Sequence, residues 1–415
     1  MKQDTVLIIG GGVVGVCSAY FLAGRGRQVI IVDQGGICAG SSYGNSGLVV
    51  PSHAIPLAAP GVLTKGLGWL LDAESPFYIK PRLDLDLLSW LLRFSFAARE
   101  GPMRKAIPVL RDLGIATRAL WDELARTDGL QFDYQQKGMM LLFRTRQGFA
   151  EGREEAHILR EAGINLEVLD GDQIRHMEPT VRPEVVGGIH FLDDAHHNPA
   201  SFVRGLAHIA EGLGVHIKTG TEVLGFETSD GRISTVRTTR GDFHPNEVVL
   251  AAGAWSPVVA RDLRINVPIQ AAKGYSLTFK RPEMCPTYPM LLSETRVAVT
   301  PMGPLLRFGG TLELAGIDLS INQRRVGAIR RGAGEYLFGT EGLELIELWR
   351  GLRPCTPDGV PIIGRSARVK NLIIAGGHAT TGQSLGPITG KLVSQIVCGD
   401  APAVALAALS PERFN

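Results

Sequence analysis

The chain opens on a short apolar run, residues 5–9 (TVLII), followed by GGGVVG at 10–15 and a helix-like stretch to about Gly24. A second apolar run, Gln28–Val32, ends at Asp33. Strand, turn, helix and strand in this order form the first half of a doubly wound sheet. Residues 104–127 place Leu110, Leu113, Leu120 and Leu124 at helical spacing, and residues 201–213 do the same behind Ser201 as N-cap. Strands are predicted at Val223–Glu227, Ile233–Thr238 and Val248–Ala252, and a hairpin at Val297–Thr300 and Leu305–Phe308 about Met302-Gly303-Pro304. Asn371–Ala375 is the last predicted strand, and a Gly-rich turn leads from it into a helix ending near Val397.

One stretch follows neither period. From Gln34 to Thr64 there is no Asp, Glu, Lys or Arg, but there are six glycines and three prolines. A flexible linker is normally more polar. An uncharged Gly-rich segment just after a dinucleotide-type turn is predicted to wrap a large buried ligand.

Composition narrows the class. The 415 residues are 45% hydrophobic, enough for a large core in two or three domains. The 43 basic and 41 acidic residues leave no nucleic-acid footprint and no polybasic anchor. Cys17, Cys38, Cys285, Cys355 and Cys398 are scattered and form no Cys-x-x-Cys pair, which argues against a zinc site or a disulfide framework. A reducing, cytoplasmic setting is expected, with no metal, no cleavable leader and no membrane span.

Gly10-x-Gly12-x-x-Gly15 stands between a strand and a helix, where such a turn lets the backbone approach a pyrophosphate. Asp33 follows Gly12 by 21 residues, at the end of the second strand, where a carboxylate can hold ribose hydroxyls. No Arg or Lys comes after it until Lys65, against a 2′-phosphate. A second Gly-rich helix start, Gly376 to Gln383, suits the flavin end of an extended cofactor and favours FAD over NAD. Arg353, in Trp349–Gly359 among apolar and rigid residues, is suited to bidentate capture of a carboxylate.

Together these segments resemble the D-amino acid dehydrogenase branch of the D-amino acid oxidase / glycine oxidase / sarcosine oxidase family. The likeness runs through GGGVVG (10–15), Tyr43–Gly47, Pro51-Ser52-His53, Pro56–Gly61, Ala252–Ser256, Lys273–Ser276, GLRPCTPDG (351–359) and Gly377-His378 with Gly382. It implies a doubly wound, Rossmann-like FAD-binding domain from residues 1–90, 192–264 and 350–415, and a mixed-sheet substrate domain from 91–191 and 265–349. It puts Arg353 on the substrate carboxylate and makes Tyr275 and His53 candidates near the substrate. For the cofactor it implies Gly10, Gly12, Val13, Val14 and Gly15 with Asp33 and Gln34. Ser41, Ser42, Asn45, Ser46, Gly47 and Leu48 would line the pyrophosphate and flavin, and Val223 the adenine half. Ala252, Gly253 and Trp255 follow, and from the last turn Gly377, Thr380, Thr381, Gly382, Gln383 and Ser384.

The resemblance is not uniform. Thr380 stands where glycine oxidases carry a second Arg, Ala379 and Thr381 stand where D-amino acid dehydrogenases typically have Gly and Leu, and Ser384–Gly390 looks like relatives that act on imino acids such as hydroxyproline. Cys355 does not coincide with the cysteine that holds flavin in sarcosine oxidases, so non-covalent FAD is expected. The implied activity is oxidative deamination of a D-amino acid to an α-keto acid, by hydride transfer from Cα to flavin N5. Electrons would pass to a quinone or dye-like acceptor, which would bring the protein to the inner membrane face as a peripheral partner. A cyclic imino acid dehydrogenase, an oxygen-using oxidase and a non-catalytic flavin-binding subunit are the alternatives.

Overall fold

The structure, a computed structural model, describes residues 4–61 and 75–414. The end of the uncharged run, residues 62–64, and Lys65 lie outside the described residues.

Strand Thr5–Ile9 is central in a six-stranded sheet ordered Ile362–Arg365, Leu372–Gly376, Glu247–Leu250, Thr5–Ile9, Gln28–Val32, His216–Lys218. All pairings are parallel except that of the first strand. Covered on both faces, these strands are apolar at successive positions instead of alternating. Ile8, Ile31, Val249 and Ile373 pack with helices Val13–Ala23, Pro199–Gly212 and Gly382–Cys398. Leu7, Val32, Val248 and Leu372 face a second cluster containing Ile233 and Val236 from the three-stranded sheet of residues 223–243.

The second layer is a nine-stranded mixed sheet. One end of it is antiparallel: Gln270–Lys280 pairs with Leu305–Leu314 on one side and with the edge strand Leu345–Cys355 on the other. Phe77–Ile79 joins it beside Leu312–Leu314. The fold class read from the sequence is therefore present: a doubly wound sheet assembled from separated pieces of chain, plus a mixed sheet. Strand Leu345–Cys355 runs unbroken through residue 350, and helix Leu85–Ala97 through residue 90.

Most local expectations differ from the structure by a few residues. The helix expected at 104–127 spans Glu100–Leu124. The helix after 198 is capped by Asn198, whose side chain accepts from the Ser201 N–H, with Pro199 in the first turn; Ser201 is not the cap. The strand expected at Leu305–Phe308 continues through Gly309 and Gly310 to Leu314. Among the described residues no helix is long and apolar enough to cross a membrane.

Candidate active site

The first Gly-rich turn is built by contact. Gly10 has φ +116°, and a Cβ there would lie 2.4 Å from the Ala251 carbonyl oxygen. A Cβ at Gly15 would lie 1.9 Å from the Gly10 oxygen, so only glycine lets the helix pack on its strand. Ser42 Oγ accepts from the Val13 N–H at 2.9 Å, and no acidic side chain occupies the first helical turn, leaving its positive end uncompensated. Asp33 is oriented by the same backbone. Its Oδ2 accepts from Gly11 N–H at 2.7 Å and its Oδ1 from Gly35 N–H at 2.7 Å. A carboxylate held this way keeps further lone pairs for hydroxyls.

The second turn ends strand Leu372–Gly376. Gly377 (φ +80°) and Ala379 (φ +47°) reverse the chain, and Thr381 is the N-cap of the helix Gly382–Cys398. Gln383, 2% exposed, has neither a donor for its amide oxygen nor an acceptor for its amide nitrogen among the described residues. Such a group is costly unless a ligand satisfies it.

Both helix starts open into one cavity of about 1260 Å³. That exceeds a site for a drug-sized ligand, roughly 300–1,000 Å³. Gly10, Gly12, Val13, Val14, Asp33, Gln34, Ser41, Ser42, Asn45, Ser46 and Leu48 line it, as do Val223, Ala252, Gly253, Trp255 and Thr380–Gln383. Residues between 34 and 59 supply much of its wall, which accounts for their lack of charge. Gly15, Gly47, Gly377 and Ser384 stand behind the wall. Ser384 Oγ, for example, accepts from the Val50 N–H at 3.0 Å. Two helix N-termini, an oriented carboxylate and an unsatisfied amide along one cavity fit an extended dinucleotide such as FAD.

Where the mixed sheet meets this cavity, Arg353 lies with its Nη1 donating 2.6 Å to the Thr311 carbonyl. Thr311 has φ +67°, a strained conformation for a β-branched residue, at the point where Gly309-Gly310-Thr311 bends its strand. Among the described residues no carboxylate pairs with Arg353, and burial pushes its guanidinium below the ordinary value. Thr311 carries no sequence signal that would mark it in advance. Cys355, also on the cavity, has its thiol pushed up to about 12 by burial, so it is not a ready nucleophile.

His53 lines the same cavity, and burial lowers it to about 4, so it is neutral near pH 7. Tyr275 also borders the cavity, but its hydroxyl is engaged elsewhere. It donates to Glu313 Oε1 at 2.8 Å and accepts from Asn322 N–H at 3.1 Å. Glu313 in turn meets Lys273 at 3.7 Å and Arg325 at 3.5 Å, so Tyr275 is a member of a buried network under the site. Sequence reasoning missed one further pair. Ser52, beside His53, gives its hydroxyl to Asp194 Oδ2 at 2.6 Å and its N–H to Oδ1 at 3.2 Å. The two residues are 142 positions apart, which hides the pair from local patterns.

Comparison with known proteins agrees with this geometry. The family model described as FAD dependent oxidoreductase (DAO) matches residues 5–396. The chain is 33% identical over 422 positions to a D-amino acid dehydrogenase of Cereibacter sphaeroides, covering 99% of this chain and 95% of that protein. It is 34% identical over 416 positions to a D-amino acid dehydrogenase of Methylobacterium radiotolerans, covering 99% of each. Among solved structures, glycine oxidase from Geobacillus kaustophilus superposes with a TM-score of 0.80 at 22% identity, over 98% of both chains. L-proline dehydrogenase from P. horikoshii superposes with a TM-score of 0.78 at 18% identity, over 100% of this chain and 98% of that one.

Proposed function

The chain belongs to the DAO family of FAD-dependent oxidoreductases, and on that premise we propose that it oxidatively deaminates D-amino acids and passes the electrons to a quinone-like acceptor. The observation that carries the substrate class is Arg353: a half-buried guanidinium with no acidic partner among the described residues, on the wall of the cofactor cavity. A carboxylate entering such a site loses water, and a bidentate guanidinium offsets that cost while fixing orientation. The D configuration rests on the two D-amino acid dehydrogenases at 33% and 34% identity.

Bound FAD supplies the hydride acceptor. This chain's residues do the rest. Arg353 holds the carboxylate and so aims the Cα–H. Neutral His53 adds no positive charge beside the substrate amine. Apolar walls such as Leu48 and Val50 exclude water. The imine leaves and hydrolyses to an α-keto acid and ammonia. The buried thiol of Cys355 is consistent with non-covalent attachment of FAD. The setting that goes with a quinone acceptor is cytoplasmic, with peripheral contact at the inner membrane face.

The test is anaerobic bleaching of the flavin absorbance by a panel of D- and L-amino acids and cyclic imino acids. D-amino acids should bleach it fastest. Bleaching by L-amino acids alone, or by cyclic imino acids alone, would replace the substrate. Dye reduction much faster than oxygen consumption is expected, and equal rates would make the protein an oxidase.

A further inference from the structure

Helix Leu85–Ala97 is apolar on two sides. Leu87, Trp90 and Phe94 are buried, and Trp90, Leu91 and Phe94 form part of the cavity wall. Trp90 Nε1 donates to the Cys355 carbonyl at 2.9 Å, and Arg93 Nη1 to the Phe414 carbonyl at 2.6 Å, so this face is fixed. The other face carries Leu85, Leu88, Leu92 and Phe96 at three- and four-residue spacing, which stacks them in one stripe. All four are more than half exposed, and Leu83, just ahead of the helix, is fully exposed. Contiguous apolar surface of this kind marks an interaction site.

We propose that this outer face docks on an anionic lipid surface. The inference rests on the acceptor reading above, since it brings the cavity wall to the phase where a lipid-soluble acceptor resides. Charge supports lipid as the occupant. Residues 80–105 hold six basic residues (Lys80, Arg82, Arg93, Arg99, Arg104, Lys105) and three acidic ones (Asp84, Asp86, Glu100), a net of +3 in a chain whose total is +2. Asp84 pairs with Arg82, Asp86 with Arg261, Glu100 with Arg104 and Lys80 with Asp318, whereas Arg99 and Lys105 have no ion pair among the described residues. Arg99 stacks over the ring of Phe96 at 4.7 Å, placing a cation at the end of the apolar stripe. An apolar helix face flanked by basic residues is the pattern of interfacial binding. A second copy of the chain fits less well. A 13-residue helix is about 20 Å long, so a stripe about 10 Å wide offers about 200 Å², against about 800 Å² per partner in a stable interface.

The test is flotation of the FAD-loaded enzyme with phosphatidylcholine vesicles, with and without phosphatidylglycerol. The wild type should float with the anionic vesicles at low salt and be released at high salt. The Leu88→Ser, Leu92→Ser double variant should bind them at least tenfold more weakly, while reducing a soluble dye with a D-amino acid at the wild-type rate. Failure of the wild type to float, equal flotation on neutral vesicles, or equal flotation of the variant would overturn the proposal. So would self-association, seen by sedimentation, that the double variant abolishes without any vesicle binding. Dye reduction without vesicles tests the catalytic reading alone. A protein that reduces dye but does not float loses only the docking face, and one that floats but oxidises no D-amino acid loses only the substrate.

Discussion

The guanidinium of Arg353 occupies the space that a side chain at residue 274 would need: a Cβ built on Gly274 would lie 2.0 Å from its Nη1. Arg353 pairs across the sheet with Ala272, so Gly274 is its diagonal neighbour on the adjoining strand. Only a bare backbone at 274 lets the guanidinium fold down toward the Thr311 carbonyl.

Gly274→Ala should therefore push Arg353 out of position at the part of the cavity wall that the two residues share. The expected result is an unchanged flavin spectrum, with kcat/KM for amino acids lowered by roughly tenfold to a hundredfold, the scale of an ångström-level misplacement. Steady-state kinetics beside an absorption spectrum checks it, and a near-wild-type kcat/KM would show that Arg353 does not orient the substrate.

Arg353→Ala should leave FAD bound and cost about 2–5 kcal/mol of carboxylate binding, read as a higher KM with a lower kcat. Arg353→Lys keeps the charge but loses the fork, so it too should be impaired. Amines without a carboxylate should react with both variants as they do with the wild type. An equal loss for those amines would point to a damaged fold.

Gln383→Met removes an amide that has no partner among the described residues. FAD affinity should fall by roughly 1–3 kcal/mol. The cofactor-free protein should melt no lower than the wild type, because no internal hydrogen bond is lost. Flavin fluorescence titration and thermal melts of the stripped protein separate the two effects. Unchanged affinity with a lower melting temperature would assign Gln383 to packing.

Asp194 is 1% exposed with no cation paired to it among the described residues, and burial raises its carboxyl to about 8. The folded state thus keeps a proton that the unfolded chain releases near pH 4. Between those values the folded state binds more protons, so stability falls as pH rises, by up to about 1.4 kcal/mol per unit, and levels off above about pH 8. Asp194→Asn should flatten that part of the profile in melts across pH 4–9. A slope as steep as the wild type's would show that another group titrates.

The sequence revealed the site unevenly. Gly10, Gly12, Gly15 and Asp33 were legible because one local turn holds all the chemistry, and local patterns record local constraints. Arg353 stood out through its rigid neighbours. Thr311 and Gly274 did not, since their roles come from pairing among strands Gln270–Lys280, Leu305–Leu314 and Leu345–Cys355. Tyr275 read as a substrate candidate because a tyrosine in a motif does not reveal that its hydroxyl faces Glu313. The cap at Asn198 is carried by Asn-Pro, ahead of Ser201 where the apolar helical period begins. Helix Leu85–Ala97 was obscured by its own composition, for a segment apolar on two faces has a blurred period.

The parallel sheet also dictates an order of events at synthesis. Val6 pairs with Glu247, so one edge of strand Thr5–Ile9, whose other edge takes Gln28–Val32, must wait for a neighbour that emerges 241 residues later. At about 5–20 residues per second that is roughly 10–50 s with an open, apolar edge on the ribosome. The strand Leu372–Gly376 and the turn that carries Gln383 come later still. The nascent chain therefore cannot close around its cofactor until residue 383 has emerged, which makes flavin loading a checkpoint that follows most of the fold and leaves chains truncated before helix Gly382–Cys398 as aggregation-prone apoprotein.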